Sequence, residues 1–61
     1  IFEKSIVIKK NIKKNQKIFL EDICFKKPGN GIPSKMYKKV IGKKANKNLK
    51  VDKLLDWKDI N

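Results

Sequence analysis

The amino-acid sequence predicts a small, mostly β fold with short helical turns, built from two similar halves that pack about a pseudo-two-fold axis. Three observations predict this fold. Short β-branched apolar runs alternate with polar turn residues, which is typical of short strands. The first and last thirds of the chain resemble each other at an offset of 37 residues. Both prolines and two of the three glycines lie between these thirds, in residues 26–33, which we call the Pro-Gly loop.

The first third predicts a strand and one helical turn. Residues 4–9 read Lys-Ser-Ile-Val-Ile-Lys, and a β-branched run bounded by charge indicates a strand. Residues 10–17 are polar around one apolar anchor, Ile12, and their asparagines suit turns. Residues 21–26 predict a single helical turn that places Ile23 in the core, followed by an extended segment.

A short helix is predicted over residues 34–41, after the Pro-Gly loop. Ser34 is a suitable N-cap, since its hydroxyl can accept a hydrogen bond from the first turn. Gly42 stands where the left-handed residue after a helix is expected. The apolar residues at helical spacing are Tyr37, Val40 and Ile41. This segment and the Pro-Gly loop therefore join the two halves.

The last third repeats the first. At the offset of 37, five of the fifteen positions from 9 to 23 are identical. Three further pairs are apolar in both copies: Ile12/Leu49, Ile18/Leu55 and Leu20/Trp57. Because the apolar positions match as well as the polar ones, the repeat indicates shared architecture, with chance matching of a Lys-rich composition as the alternative. We expect Asp56 to cap the last helical turn in a capping box with Asp59, whereas Phe19 of the first copy cannot cap.

Length and cysteine content limit how the chain is stabilised. Its 61 residues form one domain, residues 1–61, and a chain of this size buries only about 60% of the surface that its unfolded form exposes. The sequence has one cysteine, Cys24, and no histidine, which excludes an intrachain disulfide and a Cys/His zinc site. We expect Cys24 to be an inert, half-buried apolar residue.

The net charge of +11 raises the question of a polyanionic partner. All seventeen basic residues are Lys, whereas Arg is the preferred fork for phosphates and base edges. Aromatic residues do not interleave with them as a stacking platform requires. Lys, Ile and Asn account for 32 of 61 residues and share AT-rich codons, so genome composition explains much of the charge. We therefore expect no nucleic-acid partner; salt-sensitive binding to DNA or RNA is the alternative.

The sequence contains no apolar run long enough for a membrane span and no signal-peptide pattern at its N-terminus, so we expect no membrane partner. The chain begins at Ile1 rather than Met, and we expect it to be a segment of a longer polypeptide. The expected location is the cytoplasm.

An ordered set of motifs resembles the SAF domain, also called the antifreeze-like domain, over residues 4–60. The most specific part is the Pro-Gly-Asn-Gly segment of the loop, followed by Ile-Gly-Lys-Lys at 41–44. The nearest match is the version at the C-terminus of bacterial sialic acid synthases and their legionaminic and spore-coat-polysaccharide relatives. The motifs are Ser5-Ile6-Val7, Ile12-Lys13-Lys14, Glu21-Asp22-Ile23, Lys27-Pro28-Gly29-Asn30-Gly31, Val40-Ile41-Gly42-Lys43, Leu54-Leu55 and Trp57.

The resemblance implies a β-clip fold, a pretzel-like arrangement of short strands and single helical turns. It also implies a parent enzyme that condenses phosphoenolpyruvate with N-acetylmannosamine or a related sugar, using Mn²⁺ or Mg²⁺. In the family the catalytic carboxylates and metal ligands lie in an N-terminal (β/α)₈ barrel. The domain itself is therefore expected to be non-catalytic, without cofactor or metal. The resemblance implies that it caps the barrel of the partner subunit in a domain-swapped homodimer, and alone we expect a monomer.

The resemblance further implies a substrate-binding segment in the Pro-Gly loop. In the family, a basic residue just before the Pro-Gly pair, typically Arg, reaches the N-acetyl group of the sugar. The matching residue is Lys27, which can donate a hydrogen bond to an amide oxygen but lacks the planar fork of Arg. Pro28, Gly29, Asn30 and Gly31 form a stiff turn that either contacts substrate or is only structural. For Lys27 the alternative is one more solvated lysine among seventeen.

Two other functions share this fold. Fish type III antifreeze proteins have it, but ice binding needs a flat, weakly charged face, and seventeen lysines leave little room for one. SAF domains also occur in sugar-acid dehydratases and in pilus or flagellar assembly proteins, although the Pro-Gly-Asn-Gly segment argues against these contexts.

Overall fold

A computed structural model describes residues 4–27 and 30–61 of the chain. It shows a two-stranded antiparallel sheet, one short α-helix and three 3-10 turns. In chain order these are β1 (Ser5–Ile8), the first 3-10 turn (Leu20–Asp22), β2 (Ile23–Lys26), the second 3-10 turn (Ser34–Met36), α1 (Tyr37–Val40) and the third 3-10 turn (Trp57–Asp59). Among the described residues no helix has the length and apolarity needed to cross a membrane.

Strand β1 lies at the centre of the fold and forms hydrogen bonds along both edges. On one edge it pairs with β2 in antiparallel register, with Ser5 opposite Lys26. On the other edge the Ile6 N–H donates to the Ile32 carbonyl at 2.9 Å, and the Ile6 carbonyl accepts from the Leu55 N–H at 3.0 Å. All four residues of β1 are buried, as expected for a strand covered on both sides.

The core is aliphatic and is supplied by the first and last thirds of the chain together with the segment between them. Val40 of α1 is fully buried, and Tyr37 and Ile41 pack partly buried against the core, which confirms the predicted face of the helix. Cys24 is half-buried, as expected. The buried core cluster consists of Ile6, Ile8, Ile12, Ile18, Ile23, Ile32, Val40, Ala45, Leu49, Leu55 and Ile60.

Some residues that align in the sequence repeat lie close together or share a backbone conformation. Ile12 and Leu49, which align in the sequence repeat, lie opposite each other and exchange two backbone hydrogen bonds of 2.8 and 2.7 Å. In the turns that follow, Asn15 has φ 73° and Asp52 has φ 72°. Asn and Asp tolerate this left-handed region better than most residues. The same turn geometry is therefore reached with two different residue types.

Two asparagines connect the thirds through their side chains. The Oδ1 atom of Asn11 accepts a hydrogen bond from the Val51 N–H at 2.9 Å. The Oδ1 atom of Asn48 accepts one from the Lys14 N–H, also at 2.9 Å. Each asparagine thus binds the turn of the other third, so the two turns hold each other in place.

The helix predicted over residues 34–41 is present, but its beginning differs from the prediction. The second 3-10 turn leads directly into α1, and Gly42 has φ 91°, as expected for the residue after the helix. Ser34 does not cap the helix; Pro33 is the N-cap residue, and no side-chain cap bond forms. Ser34 is the first residue of the turn and not the residue before it, because the chain enters the turn directly from the pairing of Pro33 with Ser5; its N–H donates to the Lys4 carbonyl at 2.8 Å.

The first and third 3-10 turns are held by the carboxylate of their last residue. Asp22 accepts a hydrogen bond from the Phe19 N–H at 2.9 Å, and Asp59 accepts one from the Asp56 N–H at 3.1 Å. Both carboxylates are buried. The Asp59 contact of the predicted capping box is therefore present, but the prediction that the first copy lacks an equivalent was wrong, because Asp22 makes the same contact there. The stabilising group is the third residue of the turn, which is Asp in both copies, and not the residue before the turn.

Candidate functional site

The Pro-Gly loop connects the end of β2 to the segment that pairs with the start of β1. Lys27 and Asn30 are exposed, and Gly31 is half-buried. Pro28 and Gly29, two of the five predicted site residues, lie outside the described residues. The loop therefore presents polar side chains on both flanks of the Pro-Gly pair.

The second half of the loop is fixed to β1. The Gly31 N–H donates a hydrogen bond of 3.0 Å to the Oγ atom of Ser5, which is fully buried. The next residue, Ile32, is 1% exposed and belongs to the core, and Pro33 lies opposite Ser5 in a β-bridge. Three successive loop residues are thus anchored, while Asn30 directly before them stays exposed. Such an anchor lowers the entropic cost of ordering the loop on binding.

Gly31 is required for space. A Cβ atom at this position would lie 2.8 Å from the carbonyl oxygen of Leu55 and 2.9 Å from the Cγ atom of Leu54. Real Cβ atoms do not approach a backbone oxygen so closely. The sequence predicts a role for this glycine in turn conformation or substrate contact. Its position against the backbone of the last third is the additional reason that the structure reveals.

Ser5 is the residue that sequence reasoning missed. It begins an apolar strand, and a small polar residue at a position that becomes fully buried signals a specific hydrogen bond. Its partner, Gly31, lies 26 residues away, so no local pattern could identify it.

Replacing Ser5 with alanine is expected to loosen the loop without unfolding the chain. The Gly31 N–H loses its acceptor, which costs about 1–3 kcal/mol when the donor stays desolvated. Amide hydrogen exchange of Gly31 and Ile32 should accelerate more than that of the core amides. Ser34→Ala is the matched control, because Ser34 makes no cap bond; equal acceleration in both variants would contradict the role of Ser5.

The start of the loop is supported by residues of β2. The rings of Phe25 and Tyr37 meet edge to face, with centroids 6.0 Å apart and an interplanar angle of 65°. The Lys26 ammonium lies 3.3 Å from the Asp52 carboxylate, and both side chains are largely exposed. An ion pair so exposed contributes little stability. The aromatic contact with α1 is therefore the stronger support for the segment that leads to Lys27.

A buried carboxylate with two lysines forms the main charged cluster of the last third. Asp59 is fully buried; Lys53 Nζ lies 2.9 Å from Oδ2, and Lys47 Nζ lies 3.3 Å from Oδ1. Burial raises the pKa of the Asp59 carboxyl, but the hydrogen bonds from Lys53 and the Asp56 N–H, the charge of Lys53 and the side-chain contact with Lys47 outweigh it. The pKa of Asp59 is therefore held below its ordinary value.

This cluster has a structural role, because its carboxylate holds the third 3-10 turn. Asp22 serves the first turn in the same way. Within residues 4–27 and 30–61, no three His, Cys, Asp or Glu side chains come together as a metal site.

Acidification is expected to weaken the fold through Asp59. Its folded-state pKa is below its unfolded-state value, so the ionised carboxylate stabilises the fold above about pH 4, the ordinary range for Asp. This stabilisation is lost as the pH falls through the lowered folded-state pKa. Urea unfolding midpoints are measured from neutral pH downward. With falling pH the midpoint should decrease less steeply in Asp59→Asn than in the unmodified chain. At neutral pH the midpoint of the variant should already be lower, because two lysines lose their counter-charge.

The control for this pH experiment is Asp52→Asn. Asp52 pairs with Lys26 at the surface, and its removal should change the free energy of unfolding by less than about 1 kcal/mol at any pH. If Asp59→Asn kept the acid dependence of the unmodified chain, another group would be responsible.

The geometry defines a small domain with an aliphatic core and an anchored loop that projects polar side chains. The SAF domain model matches residues 3–61, and the chain belongs to the SAF domain family. The resemblance inferred from the motifs is therefore confirmed.

Two relatives share this domain. Over 56 residues the chain is 46% identical to the N,N'-diacetyllegionaminic acid synthase of Campylobacter jejuni. The matched segment covers 90% of the chain and 16% of the relative. Over 57 residues the chain is 35% identical to an uncharacterized protein of Methanocaldococcus jannaschii. This matched segment covers 93% of the chain and 17% of the relative. The chain therefore spans about a sixth of the length of the curated relatives that it matches.

Proposed function

We propose that this domain is the C-terminal lid of a sialic acid synthase-like enzyme. The parent enzyme condenses phosphoenolpyruvate with N-acetylmannosamine or a related sugar in the cytoplasm. The bond-forming groups and a Mn²⁺ or Mg²⁺ ion belong to a (β/α)₈ barrel, and the lid covers the barrel of the partner subunit in a homodimer. The domain positions the sugar and excludes water, and it performs no bond chemistry itself.

The observation that carries this proposal is the 46% identity to a legionaminic acid synthase over 90% of the chain. Three features of the loop support it. Lys27 and Asn30 are exposed on either side of the Pro-Gly pair, Gly31 is bonded to buried Ser5, and Ile32 is held in the core. A lid residue must be placed without a large loss of entropy, and a loop anchored in this way suits that task.

We infer in addition that the fold is a β-clip whose halves are related by a pseudo-two-fold axis near the Ile12–Leu49 bridge. The reciprocal hydrogen bonds of that bridge support this, because the two residues align with each other in the repeat. The two asparagine contacts and the two carboxylate-held 3-10 turns support it as well, since each pair is related by the same offset.

The parent reaction is tested with the full polypeptide that carries this domain. Release of phosphate from phosphoenolpyruvate should require Mn²⁺ or Mg²⁺ and an N-acetylated amino sugar. A full polypeptide that lacks an N-terminal barrel, or one that releases no phosphate with any such sugar, would overturn the proposal.

Within that polypeptide, Lys27→Ala is expected to raise the KM for the sugar, or lower kcat, by roughly tenfold or more, because a hydrogen bond from a charged donor is lost. The KM for phosphoenolpyruvate should stay nearly constant. Lys38→Ala removes an equally exposed lysine from α1 and serves as the control. If the kinetic constants for the sugar were unchanged in Lys27→Ala, Lys27 would be a solvent-exposed lysine without a role in sugar binding.

A further inference from the structure

The last third of the chain carries an open pocket of about 490 Å³ that shares no residue with the Pro-Gly loop. Pockets that bind small molecules have volumes of about 300–1,000 Å³, so this one has room for a monosaccharide. Its lining consists of Lys39, Lys43, Trp57, Ile60 and Asn61.

Two lysines give this pocket positive charge. Lys39 and Lys43 are exposed, and neither forms an ion pair with a carboxylate in the described part of the chain. The two ammonium groups that line the pocket attract an anion.

An aromatic surface lies beside these charges. Trp57 is the only tryptophan of the chain and is 44% exposed at the pocket, and Ile60, which also lines the pocket, is 7% exposed. The electron-rich face of an indole packs favourably against groups that carry partial positive charge. The C–H groups on one face of a pyranose ring are such groups. A ring with an attached anion therefore matches both halves of the pocket.

The fold itself does not demand these residues. Leu20 takes the place of Trp57 in the first 3-10 turn, which has the same length and the same carboxylate contact. Ile6 takes the place of Lys43, since the carbonyl of each accepts the equivalent backbone hydrogen bond, at 3.0 and 2.9 Å. The same frame is thus built with apolar residues in one third and with a tryptophan and a lysine in the other.

We propose that Lys39, Lys43 and Trp57 bind an anionic monosaccharide. The ammonium groups of the two lysines hold its carboxylate or phosphate, and the indole packs against its ring. The site uses no residue of the loop and does not rest on the proposed lid function.

The test uses the 61-residue chain, whose single tryptophan reports directly on the pocket. Trp57 fluorescence and amide chemical shifts are followed with glucuronate, glucose 6-phosphate, glucose and inorganic phosphate. We expect saturable changes at Trp57, Lys43 and Asn61 with the first two ligands at up to about 50 mM, since two exposed charge-assisted contacts support only millimolar affinity. Glucose should not bind, and inorganic phosphate should bind more weakly than glucose 6-phosphate. The tighter of the two anionic sugars identifies the preferred anion.

Two variants separate the charge from the ring. The double variant Lys39→Gln/Lys43→Gln should weaken the binding of both anionic sugars at least about tenfold. The double variant Lys10→Gln/Lys14→Gln loses the same charge elsewhere and should not weaken it. Trp57→Leu copies the residue of the first third and should abolish the preference for glucose 6-phosphate over inorganic phosphate, read from the Lys43 and Asn61 amides. The proposal is overturned by an absence of saturable binding, by equal weakening in the two lysine pairs, or by a sugar preference that survives Trp57→Leu.

Discussion

Leu55→Ala is expected to leave the chain largely unfolded at room temperature. The Leu55 side chain is fully buried, and its backbone bonds to Ile6 in β1. Truncating a buried leucine costs about 2–5 kcal/mol, because the cavity only partly collapses. A domain of 61 residues has little more than about 3–5 kcal/mol in total. The loss is therefore comparable to the whole free energy of unfolding.

The effect is measured by circular dichroism during urea titration. Ile18→Ala, at the aligned and equally buried position, should behave alike, while Leu20→Ala, whose side chain is 55% exposed, should shift the midpoint little. A Leu55→Ala variant as stable as Leu20→Ala would show that the core is not the main source of stability.

Gly31→Ala is expected to give the second-largest loss, about 1–3 kcal/mol, which is typical of overpacking. The new Cβ meets the Leu55 carbonyl oxygen at 2.8 Å, and a backbone atom cannot rotate away as a side chain does. The segment around Gly31 must shift, which also strains its hydrogen bond to Ser5. Urea unfolding gives the stability change, and the chemical shifts of Ser5 and Leu54 give its location.

Gly42→Ala is the matched comparison. Gly42 has φ 91° and open space around an added Cβ, so only backbone strain opposes alanine there. We expect a loss of about 1–2 kcal/mol, with shifts limited to the end of α1. If Gly31→Ala lost less stability than Gly42→Ala and left the chemical shifts of Leu54 unchanged, the loop would have enough space for a Cβ atom at position 31.

Local patterns predicted the elements whose cause is local. The β-branched run became β1, the apolar spacing after the loop became a helix with Val40 buried, and Gly42 took the left-handed conformation. The motifs also sufficed to identify the family. These features depend on residues close together in sequence, where propensity and periodicity act.

What could not be predicted depends on contacts between distant residues. Ser34 was expected to cap the helix, but Pro33, which pairs with Ser5 of β1, takes the N-cap position, and Ser34 is the first residue of the turn. The anchor of the loop is a hydrogen bond from Gly31 to Ser5, and the space limit at Gly31 comes from Leu54 and Leu55. At the candidate site, the sequence indicated which loop residues are polar. It did not indicate which loop residues are held in place by contacts with β1 and the core.

The paired asparagines have a consequence for how the chain folds. Asn11 bonds to Val51 across 40 residues, and Asn48 bonds to Lys14 across 34. Neither turn can form its full set of bonds until the other is in place, so no smaller part of the chain is a folding unit. Closing these long loops costs conformational entropy before the contacts form and stabilise the chain. The chain should therefore fold slowly for its length. During synthesis on the ribosome, the first turn must wait for residues 48–51 to emerge.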